Sequence, residues 1–82
     1  MVTPESIKRG IEAGIACERV EVVGDGQHFQ AVVVSSAFAG KSRVQRHQLV
    51  YAALGERMRE EIHALSMRTL TPNEWKVQGE TG

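Results

Sequence analysis

A chain of 82 residues, 41% hydrophobic and 24% charged, supports one small globular domain and leaves no room for a second. Its one cysteine excludes an intramolecular disulfide framework and a CxxC zinc site. No apolar run approaches the roughly 20 residues of a membrane span, and no signal peptide opens the chain, so a cytoplasmic protein is expected. Ten basic and ten acidic side chains cancel, which on its own argues against a polyanionic ligand. The total hides an asymmetry: residues 1–40 carry three basic and five acidic groups, and residues 41–82 carry seven and five. Between Asp25 and Glu56 there is no acidic residue, while His28, Lys41, Arg43, Arg46 and His47 all fall there. A neutral chain can therefore present one positive surface.

Thr3 is a good N-cap and Pro4 suits the first helical position, with Val2 and Ile7 placed as a hydrophobic staple. Ile7, Ile11 and Ile15 form an apolar stripe that ends near Ala16 or Cys17. Gly10 and Gly14 each cost this helix up to about 1 kcal/mol, so it depends on docking. Residues 19–23 alternate as a half-buried strand. The turn residues Gly24-Asp25-Gly26-Gln27 and a second run, His28 to Ser35, complete a hairpin. The second run is apolar on both faces and belongs inside a sheet.

Ser42 caps the next helix, whose stripe reads Val44, His47, Tyr51 and Leu54, with Leu49 and Ala53 on the opposite side. Gly55 breaks it, and Glu56 to Glu61 makes a short charged helix. In residues 62–70, His63, Leu65, Met67 and Thr69 fall on one face of a strand. Thr71-Pro72-Asn73-Glu74 is a capping box opening a last helix with Trp75. Residues 1–77 thus form a single domain and 78–82 a frayed tail. The expected class is α+β, in αββααβ(α) order: one three-stranded mixed sheet with helices packed on one face.

Three blocks resemble a known family. Gly24-Asp25-Gly26-Gln27-His28-Phe29, the run from Phe38-Ala39-Gly40-Lys41-Ser42-Arg43 to Tyr51, and His63-Ala64-Leu65-Ser66 followed by Thr69-Leu70-Thr71-Pro72 look like a short bacterial BolA-like protein. The likeness covers about residues 3–76. It implies a fold similar to a class II KH domain. It implies a monothiol glutaredoxin as partner, with a [2Fe-2S] cluster shared in the heterodimer and none in the isolated monomer. On the family pattern the invariant histidine matches His63, and the second ligand, in the hairpin loop, matches His28. Cys17 does not match that position. Some members bind DNA as transcription regulators, with links to stress.

Each residue also has a plainer reading. A single histidine in an alternating strand, such as His63, is commonly structural, and His28 by itself is a loop histidine facing solvent. Cys17 reads as a small buried hydrophobe. Two histidines do not complete an iron–sulfur site, which usually takes four ligands. On the resemblance, a glutaredoxin cysteine and a glutathione thiol would supply the rest. Lys41, Arg43, Arg46 and His47 form a basic block at a helix start, where cations gain nothing from the dipole. That favours docking to an acidic partner surface, glutathione carboxylates or nucleic-acid phosphate. His47 lies on the apolar stripe and also reads as a boundary histidine. Leu54-Gly55-Glu56-Arg57 lacks the GxxG of nucleic-acid-binding KH domains, so DNA is the weaker alternative. No residue pairing marks a catalytic nucleophile or acid, and the chain reads as a binding protein.

Overall fold

Thr3 caps the first helix as expected: its Oγ1 accepts the Ser6 N–H at 3.1 Å, and its own N–H donates to Ser6 Oγ at 2.9 Å. The computed structural model describes residues 2–62 and 64–81, with side chains except at 57–59, 61 and 79–81. Helix α1 spans Pro4–Gly14, and Ile15 is already extended. Val2, Ile7, Ile11 and Ile15 are all buried, which is the staple and stripe read from the sequence.

Strands β1 (Arg19–Gly24) and β2 (His28–Val34) pair antiparallel, from Gly24 opposite Phe29 to Arg19 opposite Val34. A 3-10 turn, Ser36–Phe38, leads to helix α2 (Arg43–Glu61). Ser42 and Gln45 cap α2 reciprocally, at 2.9 and 3.2 Å. Gly55, at φ 78° and ψ 165°, interrupts the helix where the sequence placed the break. Strand β3 (Ala64–Leu70) pairs parallel with β2, from His28 opposite Ala64 to Val34 opposite Leu70. Helix α3 covers Pro72–Thr81, so residues 78–81, expected to fray, are helical.

Among the described residues the sheet has three strands, ordered β1-β2-β3, giving the expected α+β fold with a mixed sheet. One face carries Val20, Phe29, Ala31 and Val33, all buried, under α1 and α2. Gly10 and Gly14 explain why α1 tolerates two poor helix formers. A Cβ on Gly14 would lie 2.7 Å from Ala53 Cα, and one on Gly10 would lie 3.1 Å from Leu54 Cδ2. The glycines are where α2 docks. The helices do not all pack on one face as expected: α3 reaches the other face, where Arg19 stands over the Trp75 ring at 5.0 Å and Arg68 bonds Gln78. Val34 and Leu70, both buried, lie on that face.

The stripe of α2 differs from the sequence reading. Val44 is 64% exposed, and Val50 is fully buried beside Leu54. Leu49 and Ala53 pack against the core, so the helix turned its 46/50/54 face inward. Among the described residues no helix is long and apolar enough to cross a membrane.

Candidate functional site

Two regions gather the residues singled out above, one at each end of β3. At about 3.3 Å per residue, those ends are about 20 Å apart.

The first is the hairpin turn. Asp25 Oδ1 accepts the N–H groups of Gln27 and His28, each at 2.9 Å, which makes the turn an Asx type. Those two bonds, His28's first, hold the Asp25 carboxyl below its ordinary range. Gly26 sits at φ 100°, a conformation that favours glycine. A Cβ on Gly24 would meet Phe29 Cδ1 at 2.4 Å, so this glycine lets the Phe29 ring seat in the core. Because strand residues alternate, burying Phe29 turns His28 to the opposite, exposed face. Among the described residues the His28 ring makes no hydrogen bond. The register sets His28 beside Ala64, the residue that follows His63 in the chain. His63 itself lies outside the described residues. Among the described residues no three His, Cys, Asp or Glu side chains come together as a metal site.

The second region is a groove of about 580 Å³. It brings together all four residues of the basic block, Lys41, Arg43, Arg46 and His47, with Arg68 and Glu74. Arg46 differs from its neighbours. Its Nε donates to the Lys41 carbonyl at 2.9 Å, and its Nη1 donates to the Thr69 carbonyl at 3.1 Å. Its two Nη atoms also fork onto Glu74 at 2.7 and 3.3 Å, and its guanidinium lies 6.0 Å from the Phe38 ring. Only 13% of its side chain is exposed. Arg46, expected to meet a partner, is therefore used inside the fold. Its acidic counterpart lies 28 residues further on, where helical spacing gives no sign of it. The Glu74 carboxyl is held below its ordinary value, first by Arg46 and next by the Thr71 N–H.

Arg68 joins the groove without having been singled out. The alternation of β3 did mark it, since Ser66 and Arg68 are the exposed positions between Leu65, Met67 and Thr69. His47 is half-buried at the groove wall, in keeping with a boundary histidine. Cys17 is half-buried, with Sγ 3.2 Å from the Ile15 carbonyl. Burial, and then nearby Glu12, pushes its thiol up, which disfavours the reactive thiolate.

The fold and both regions can be set beside known proteins. The family model described as BolA-like protein matches residues 5–74. The DNA-binding transcriptional regulator BolA of Haemophilus influenzae is 47% identical over 58 residues, which are 71% of this chain. The match spans 56% of that relative's length, little more than half. The acid stress protein IbaG of Escherichia coli K12 is 44% identical over 62 residues, 74% of each chain. The structure of a BolA protein homologue from Coxiella burnetii superposes with a TM-score of 0.82 at 49% identity, covering 93% of this chain and 99% of that one. The chain belongs to the BolA-like family.

Proposed function

We propose that this chain is a BolA-like adaptor of iron–sulfur and redox regulation in the cytoplasm, acting by binding and not by catalysis. Its partner is a monothiol glutaredoxin, and His28 and His63 are its two ligands to a [2Fe-2S] cluster held between the proteins. The observation that carries this reading is the exposed His28 at the head of β2, in register with the neighbour of His63. The donor set fits the group: paired imidazoles replace two thiolates on one iron of Rieske-type clusters and raise the potential. The cluster would supply one-electron chemistry or iron delivery. A glutaredoxin cysteine and a glutathione thiol would complete the ligand set. This chain's own part is to aim His28 outward. The Asp25 turn and the burial of Phe29 fix the start of β2, and Gly26 leaves open space around the loop.

The test mixes the protein with a monothiol glutaredoxin, glutathione, iron and sulfide. A heterodimer with visible absorption is expected, and His28→Ala and His63→Ala should each alter the bands. Bands unchanged in both variants would remove the ligand assignment, and a colourless heterodimer would leave only an adaptor.

A second reading is a DNA-binding transcription regulator using a KH-like surface. It is favoured by the name of the Haemophilus relative and by the cations of the groove. Duplex affinity should then fall with salt, and Lys41→Gln or Arg43→Gln should each lower the log–log slope by about 1. Absence of binding at low salt ends this reading.

A further inference from the structure

We propose that the groove between α2 and the outer edge of β3 is a docking site for an extended acidic peptide segment, which adds to the sheet as a strand beside β3. The groove lies toward the far end of β3 from His28, and the free edge runs back from it to Leu65; the proposal does not depend on the cluster reading.

The argument starts from the sheet order. With β1-β2-β3, the outer side of β3 has no neighbouring strand among the described residues. The direction of its backbone groups follows from two hydrogen bonds. The Leu70 carbonyl accepts from Ser35 N–H, just past β2, so it points inward. The Thr69 carbonyl accepts from Arg46 and points outward. Strand groups alternate, so the N–H and C=O of Leu65 and Met67 point outward with Thr69. An exposed edge of this kind templates another strand unless something covers it. Arg46 covers it at Thr69, which sets where an added strand stops. Leu65 and Met67 remain to take its main-chain bonds.

Charge selects the occupant. Lys41, Arg43 and Arg68 line the groove beside Met67, and Arg46 neutralises its one acid, Glu74. Among the described residues Lys41, Arg43 and Arg68 are in no ion pair. Strand addition takes affinity from the main chain and specificity from alternate side chains, here carboxylates facing these cations. The lining has no Phe, Tyr or Trp on which bases would stack, and its edge groups match a peptide backbone, not a sugar-phosphate one.

The probe is a capped hexapeptide of alternating valine and glutamate, titrated into the isotope-labelled full chain and followed by amide shifts and hydrogen exchange. Expected are slowed exchange at the Leu65 and Met67 amides and affinity that falls with salt. The double variant Lys41→Glu, Arg43→Glu should weaken binding at least about tenfold. Acid at a helix start favours the helix, so this variant folds. A peptide N-methylated at alternate residues should lose the protection. The proposal is overturned by no binding at low salt, by protection confined to the β1 edge, by an undiminished double variant, or by a single-stranded oligonucleotide that occupies the groove while the peptide does not.

Discussion

Arg46 and Glu74 join the first turn of α2 to the first turn of α3 through a forked ion pair, with the Thr69 carbonyl sharing the same guanidinium. Glu74 meanwhile closes the capping box of α3, accepting the Thr71 N–H at 2.8 Å while its own N–H donates to Thr71 Oγ1 at 3.1 Å. One carboxylate therefore starts a helix and ties it to another. Arg46→Ala should cost about 1–3 kcal/mol in urea unfolding, because the half-buried Thr69 carbonyl loses a charged donor. Arg46→Lys should recover only part, since a point ammonium cannot fork. A cost near zero would show that the fork does not hold α3.

The pH dependence has a definite sign. Glu74's folded pKa lies below its ordinary value of 4.5, so its contribution is complete above that value. It is lost as pH falls below 4.5 and through the depressed pKa. Asp25, also depressed, acts in the same direction. Glu74→Gln keeps an N3 residue able to cap. It should therefore flatten the acid side of a stability-against-pH curve without abolishing the helix seen by circular dichroism. An unchanged acid slope would remove the ion pair from the account.

Gly14 reverses a general rule. Gly→Ala inside a helix ordinarily stabilises by up to about 1 kcal/mol. Here the added Cβ would sit 2.6 Å from Ala53 Cβ and 2.7 Å from its Cα, and backbone cannot easily yield. Gly14→Ala should destabilise by about 1–3 kcal/mol. Gly10→Ala, facing the movable tip of Leu54, should be much milder. Thermal unfolding of the pair checks the order, and equal values would mean that α1 and α2 do not cross as closely as the structure has them.

Ser35 is fully buried and ties three segments together. Its Oγ donates to the Ala16 carbonyl at 2.6 Å and accepts the Ala37 N–H at 3.1 Å, while its N–H reaches the Leu70 carbonyl. Ser35→Ala leaves two backbone groups unpaired and should cost about 1–3 kcal/mol, seen as a lower denaturant midpoint at constant slope.

What the sequence revealed was local chemistry. Thr3, Ser42 and Thr71 announced their helices, Gly55 its break and Asp25 its turn, because each acts within a few residues of itself. What it concealed was long-range. The inward face of α2 is chosen by docking against α1, so Val44 went to solvent and Val50 to the core. Arg46 read as an outward cation because the reason for its burial is Glu74, in another helix. Arg68 became a groove residue only once β3 lay beside α2. The family blocks did mark His28 and His63, while the place of His28 in the sheet came from the register.

The parallel ladder also bears on the order of folding. His28 pairs with Ala64 and Val34 with Leu70, so each pair across it joins residues 36 apart. The hairpin pairs run from Gly24 with Phe29 to Arg19 with Val34 and close much shorter loops. Loop-closure entropy therefore lets the hairpin assemble first and makes the arrival of β3 the slow step. Until then β2, apolar on both faces, stands as an open edge. A nascent chain is most exposed to aggregation before residue 70 has been made, and Val32 to Val34 are the residues most in need of cover.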